Sequence, residues 1–253
     1  GARRQVIMGR GWDDPGAGFA LLLDETGALA LRVGEDQGRQ LMLSTNVPLR
    51  RGQWAFVAAS YDSASGQARL VQRPLATGPG DQVISDPVER SETLVSGLGL
   101  GAAAAPFQFA AGGGERATAH FNGKIDRPRL ANRALTDAEM AAASGPGIAE
   151  TLTNDILGCW DFAADISTDR ITDLSRHGLH GEVINLPTRG VTGHNWDGSE
   201  HNWRHAPEQY GAIHFHHDDL YDAGWETDFT YTVPDDLPSG VYAARLHHGD
   251  DVD

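Results

Sequence analysis

Cysteine is nearly absent from this chain: among 253 residues there is only Cys159. A lone thiol excludes an internal disulfide and any zinc site made of cysteines alone. Its apolar, strand-like surroundings predict a buried side chain. Lysine is as scarce, with Lys124 the single example and arginine supplying the other basic groups. Acidic residues outnumber basic ones 35 to 20, giving a formal net charge of −15. That balance lacks the basic footprint of a nucleic-acid binder, and an anionic membrane surface would repel it. No apolar run reaches the roughly 18 residues needed to span a bilayer. No signal-peptide pattern is read, and no Asn-x-Ser/Thr sequon occurs. The cytoplasm is the expected location. Two nucleotide and hydrolase signatures are also missing: there is no G-x-S-x-G elbow, and the one lysine stands in Asn-Gly-Lys-Ile instead of a P-loop.

What the chain has in quantity is turn chemistry. Glycine numbers 31 and proline 12, while hydrophobic residues make up 40% and charged residues 22%. This composition sustains a packed core and favours a turn-rich β protein over a helical bundle. Phe19–Leu23, the turn Asp24-Glu-Thr-Gly27 and Ala28–Val33 read as a hairpin. Gln53–Tyr61, the turn Asp62–Gly66 and Gln67–Gln72 read as a second one. Its first arm is apolar on both faces, as expected inside a two-layer sandwich. Short strands are predicted at Gln82–Ile84, Leu94–Val95, Phe107–Ala110, Ile156–Phe162, Glu182–Leu186, Ile213–Phe215, Phe229–Val233 and Gly240–Leu246. Thr136-Asp-Ala-Glu139 is a capping box that opens a short helix over 137–143. The expected organisation is a sandwich over 1–186, a long surface loop over 187–210 and a β extension over 211–253. The strand Gly240–Leu246 has no return partner in the sequence, which predicts a segment of a longer polypeptide leading into a further domain.

Gln53-Trp-Ala-Phe-Val-Ala-Ala-Ser-Tyr-Asp62, Phe121-Asn-Gly-Lys-Ile-Asp126 and Asn132-Arg-Ala-Leu-Thr-Asp-Ala-Glu139 resemble laminin-G/concanavalin-like jelly-roll domains. Trp160-Asp-Phe162 and Asp173-Leu-Ser-Arg-His-Gly-Leu-His-Gly181 are similar to a further strand pair of that fold. Three later stretches resemble the large subunit of bacterial N,N-dimethylformamidases: Asn185–Gly198, Tyr210–Trp225 and Val233–Tyr242. That resemblance implies a parent enzyme converting dimethylformamide to dimethylamine and formate. It implies one iron held by two tyrosines and a glutamate in a domain downstream of the sandwich, a small helical partner subunit, and a homo-oligomer. No position here matches the iron ligands, so no cofactor and no catalytic residue are expected within this segment. The segment is expected to act as a non-catalytic scaffold. The alternative is a carbohydrate-binding or adhesion-type laminin-G-like module without enzymatic activity.

Several residues invite a sharper reading. His214 and His216 share one face of a strand and could clamp a metal, but no third ligand follows at a defined spacing. A hydrogen-bonded network is the blander reading. His201 and His205 miss the H-E-x-x-H pattern, because Glu200 precedes the first histidine. Glu226 and Asp228 have the spacing of paired carboxylates, yet no supporting acid follows. Gly97-Leu-Gly-Leu-Gly101 imitates a dinucleotide loop but runs into Pro106 instead of a helix. Asp13, Asp14, Asp126 and Asp173 could bind Ca²⁺ with backbone carbonyls, although the spacing does not support it. Trp196, Trp203 and Trp225 are candidate interface anchors, with sugar stacking as the lesser reading.

Overall fold

The computed structural model describes residues 3–11, 18–34, 41–76, 82–83, 85–97, 105–113, 116–217, 225–227, 229–245, 247–248 and 251–252. Their contacts group into two units, Gly1–His217 and Asp218–Asp253.

In chain order the strands of the first unit are β1 (Gln5–Arg10), β2 (Phe19–Leu23), β3 (Ala28–Val33), β4 (Leu41–Pro48), β5 (Ala55–Asp62), β6 (Gln67–Pro74), β7 (Val88–Thr93), β8 (Phe107–Phe109), β9 (Gly123–Asp126), β10 (Arg129–Ala131), β11 (Ile156–Asp161), β12 (Arg170–Asp173), β13 (Gly181–Glu182), β14 (Thr188–Val191) and β15 (Ala212–Phe215). A single α-helix, α1 (Asp137–Ala143), occurs among the described residues. The protein is therefore all-β and sandwich-like, as its composition and patterning predict. Its sheets run β4-β3-β2-β1-β8, β5-β6-β7, β14-β15-β9 and β10-β11-β12-β13.

Alternation decides which side chains meet. Leu21, Leu29, Leu31 and Val33 face one core together with Leu70, Ile125, Trp160, Phe162 and Ile213. Their neighbours Ala20, Leu22 and Ala30 turn to the opposite face and join Val6 under Ala119. β3 is thus buried along its whole length, which accounts for its near-continuous apolar sequence. The core's aromatic centre is Phe107 stacked on Trp160 at 5.4 Å, with Phe109 edge-on to Trp160 at 4.9 Å. Gly158 is required here, because a side chain at that position would collide with the Trp160 ring.

Both predicted hairpins form, and α1 has both halves of its capping box: Thr136 Oγ1 accepts from the Glu139 amide, and the Glu139 carboxylate accepts from the Thr136 amide. Cys159 is buried, as expected. Differences arise where the pattern is weak. Val88–Thr93 forms β7 despite its single apolar residue, whereas the strand expected at Leu94–Val95 is absent; Ile84 lies outside the described residues. The strand predicted through Leu186 stops at Glu182, because Asn185 and Leu186 adopt left-handed φ values of 59° and 46°.

In the second unit β16 (His247–His248) pairs with β17 (Asp251–Val252). The stretch 229–245 contains neither helix nor strand, though Leu237 N–H donates to Pro234 O across a turn. Strand-like alternation alone does not make a strand without a neighbour to share its hydrogen bonds.

Two buried carboxylates organise turns. Asp173 accepts the amides of Cys159, Ser175 and Leu179 at 2.7–2.8 Å and the Ser175 hydroxyl at 2.6 Å. Asp24 does the same for Thr26, Ala28 and Ser44. Burial pushes each pKa up, but the donated hydrogen bonds outweigh it, and both carboxyls lie below their ordinary value of 3.8. A folded pKa below the unfolded one adds stability above the unfolded value, and that stability is lost as pH falls through the folded pKa. Resistance to urea should therefore hold from neutral pH down to about pH 4 and fall below it. Asp173→Asn should flatten that fall. An unfolding midpoint that does not move between pH 5 and pH 2 would refute this account.

Candidate functional site

The polar face of the β14-β15-β9 sheet gathers the functional groups of greatest interest. Register places Ile213 opposite Ile125 and His214 opposite Lys124. Ile125 and Ile213 are buried in the core. By strand alternation Lys124, Asp126 and His214 must then emerge on the other face. The chain from 192 to 211 lies over part of this face. Gly193 N–H donates to Gln209 O at 2.8 Å, and residues Pro207–Tyr210 form a 3₁₀ turn.

The centre of this arrangement is Asp126. Its side chain is 3% exposed, and Oδ2 lies 2.5 Å from His194 Nδ1. The same oxygen accepts the His194 main-chain amide at 3.1 Å. A carboxylate oxygen accepts, so the contact runs as an Nδ1–H of the ring donating to Oδ2. Trp54 meets that ring edge-on at 6.4 Å. Gly193 permits the approach: a Cβ there would stand 2.7 Å from Asp126 Oδ2. Asp126 Oδ1 and Asn195 Oδ1 are buried and accept no hydrogen bond among the described residues.

Lys124 donates to Thr192 through both its hydroxyl, at 3.0 Å, and its carbonyl, at 3.3 Å. Burial of the ammonium lowers its pKa. His217 Nδ1 reaches Asn122 Oδ1 at 2.8 Å. On β14, Arg189 spreads its guanidinium over five carbonyls: Nη1 to Asp165, Thr168 and Arg170, and Nη2 to Phe162 and Ala164. Burial lowers its pKa, partly offset by the nearby charges of Asp165, Asp161 and Asp169. Within the covering loop Glu200 accepts the amides of His201 and Asn202 and contacts His205 Nδ1. Its carbonyl receives Trp196 Nε1 and the Tyr210 hydroxyl.

The residues singled out from sequence are placed as follows. His214 and His216 come together, their rings 5.1 Å apart. No group of three or more His, Cys, Asp or Glu suited to a metal ion forms among the described residues. Trp196 is tied into the loop and edge-on to His201, while Arg204 lies 4.6 Å over the Trp203 ring. Trp225 is 89% exposed. Of the acidic set, Asp126 is engaged by His194 and Asp173 by its amide cluster; Asp13 and Asp14 lie outside the described residues, as do Asp228 and most of the Gly97–Gly101 run. Tyr61, Tyr210 and Tyr242 each donate their hydroxyl to a main-chain carbonyl, of Val95, Glu200 and Pro238. Sequence reasoning missed the Asp126–His194 pair, the Lys124–Thr192 pair and the Arg189 fork. The solitary lysine was the one local signal, since each pair joins residues 68 positions apart.

Comparison with known proteins adds two findings. Residues 188–253 match the family described as N,N-dimethylformamidase beta subunit-like, C-terminal. Over its whole length the chain is similar to the N,N-dimethylformamidase beta subunit of Paracoccus aminophilus, with 34% identity across 275 residues. It is also 34% identical to the N,N-dimethylformamidase beta subunit of an Alcaligenes species, over 99% of this chain. The chain spans about a third of the length of these curated relatives, 35% and 34% respectively. The expectation of a large subunit is corrected by these matches: the subunit that both relatives and the family description name is the beta subunit.

Proposed function

We propose that this chain is part of a dimethylformamidase-like amide hydrolase, and that residues 3–217 serve it as a framework and not as the reacting groups. The observation that carries the reading is similarity to dimethylformamidase beta subunits along 100% of the chain. Supporting it, the buried polar groups are committed to holding loops: Asp126 to His194, Asp173 to three amides and a hydroxyl, Arg189 to five carbonyls. An iron centre of two tyrosines and a glutamate would draw its ligands from polypeptide of the kind that makes up the other two thirds of the relatives. That centre would supply Lewis-acid chemistry at the amide carbonyl. The stretch carrying Trp225, Phe229, Tyr231 and Val233, each more than 60% exposed, is the proposed contact with that remainder. Further subunits are proposed as partners, since the relatives are themselves named as subunits. No helix among the described residues is long and apolar enough to cross a membrane. A cytoplasmic location is proposed on the single buried thiol.

The test is direct. The purified 253-residue chain, supplied with iron, is incubated with dimethylformamide and assayed for dimethylamine. No release is expected. Turnover that survives repurification, and that is lost in His194→Ala, would overturn the framework reading.

A further inference from the structure

We propose that Asn122 is a site of self-modification: its side-chain amide is expelled by attack of the Gly123 main-chain nitrogen, and the His217 imidazole stabilises the oxygen that takes up charge. Asn122-Gly123 is the single Asn-Gly pair of the chain; the other six asparagines precede Val, Arg, Asp, Leu or Trp. A glycine leaves its amide nitrogen unshielded, because no side chain flanks it. The fold requires this glycine. A Cβ at position 123 would stand 2.8 Å from the Phe121 ring, which packs against the core. Packing therefore builds the reactive pair into the strand.

Three contacts set the geometry. The main-chain amide of Asn122 donates to Gln5 Oε1 at 2.8 Å. Gly123 is paired with Phe215 at the entrance to β9. Two residues beyond Phe215, His217 donates from Nδ1 to Asn122 Oδ1 at 2.8 Å. That oxygen becomes an oxyanion when the nitrogen adds to Cγ. A donor already within about 2.7–3.1 Å of such an oxygen stabilises the charge as it develops. Asn122 and His217 are both exposed, so water reaches the reacting atoms.

The step needs no co-reactant except water. The Gly123 nitrogen gives up its proton and bonds to Asn122 Cγ. The Cγ–Nδ2 bond breaks, and Nδ2 leaves with a proton as ammonia. A five-membered succinimide remains, and water opens it to aspartate or to isoaspartate. The product has a new carboxylate facing His217. In the iso form it also has one extra main-chain carbon at the entrance to β9, the strand whose Lys124 and Asp126 hold Thr192 and His194.

The purified chain and a free Phe-Asn-Gly-Lys peptide are incubated in one neutral buffer and followed by peptide mass spectrometry. Asn122 should gain about 1 Da, at a rate equal to or above that of the free peptide, while the other asparagines stay unchanged. Isomerisation at Asp197-Gly198 is separated from this, because it leaves the mass unchanged. His217→Leu should slow the gain about tenfold, less than the loss of about 10²–10³-fold seen for an enclosed oxyanion donor, because this contact is exposed. His217→Asn carries an N–H near the place of Nδ1 and should recover most of the rate. The sign of the effect excludes a merely structural role: if His217 only pinned the Asn122 side chain, its removal would speed the loss. A His217→Leu chain that converts as fast as the parent or faster overturns the proposal. So does a parent chain whose Asn122 lags behind the free peptide.

Discussion

Replacing Arg189 by lysine is expected to destabilise the protein by about 3 kcal/mol, a large effect for a substitution that keeps the charge. Four of the five carbonyls it serves come from 162–168, in the connection between β11 and β12, and the fifth from Arg170 at the start of β12. That connection has almost no ladder of its own, so the guanidinium does the work a sheet would do. A planar fork reaches several carbonyls at fixed angles; an ammonium is a point with three donors and a shorter reach. Charge-assisted hydrogen bonds contribute about 1.5–3 kcal/mol each, but they are not additive here. Asp165, Thr168 and Arg170 lie at the surface, and water can replace part of what they lose. Phe162 is 1% exposed, and its carbonyl has no such recourse. The melting temperature of Arg189→Lys should fall by about 6–12 °C, and Arg189→Met should fall further. A lysine variant melting within a degree of the parent would show that the charge alone, and not the fork, holds the segment.

Arg189 also illustrates why part of this structure was readable and part was not. The hairpins Phe19–Val33 and Gln67–Gln72 with its preceding arm were legible because two local signals agree. Each has apolar arms, and each turn contains an aspartate and a glycine, with Asp24 and Asp62 accepting local amides. The helix was legible because Thr136 and Glu139 are three residues apart and serve each other. β7 was not: Val88-Glu-Arg-Ser-Glu-Thr93 carries no apolar face, and its strand state comes from pairing along β6. β14 was hidden in the same way, its four residues Thr-Arg-Gly-Val offering no pattern until β15 lies beside them.

The candidate site was legible only in its local half. His214 and His216 are two apart on a strand, and their shared face follows from alternation alone. What organises the face is Asp126 and Lys124 from β9, which reach His194 and Thr192 across 68 residues. No spacing rule spans that distance. Asp126 in the sequence looked like one of several scattered acids and was weighed as a cation ligand. The fold instead gives it an imidazole.

That imidazole pair is where the largest single-site loss is expected. Removing His194 (His194→Ala) leaves the Asp126 carboxyl, 97% out of solvent, with only the main-chain amide of residue 194 as a donor, at an expected cost of about 3–5 kcal/mol. Removing the acid instead (Asp126→Ala) strands the His194 amide and ring nitrogen, which can turn to water because the ring is 27% exposed, and should cost about 2–3 kcal/mol. The asymmetry follows from exposure: a carboxyl short of donors in the interior is worse than an imidazole short of an acceptor at its rim. In the double variant the loss should be smaller than the sum of the two, with a coupling of about 2 kcal/mol. Urea denaturation of the four proteins measures all three values. Strictly additive losses would mean that the short Asp126–His194 contact contributes nothing of its own, and that Asp126 is held by the His194 main-chain amide alone.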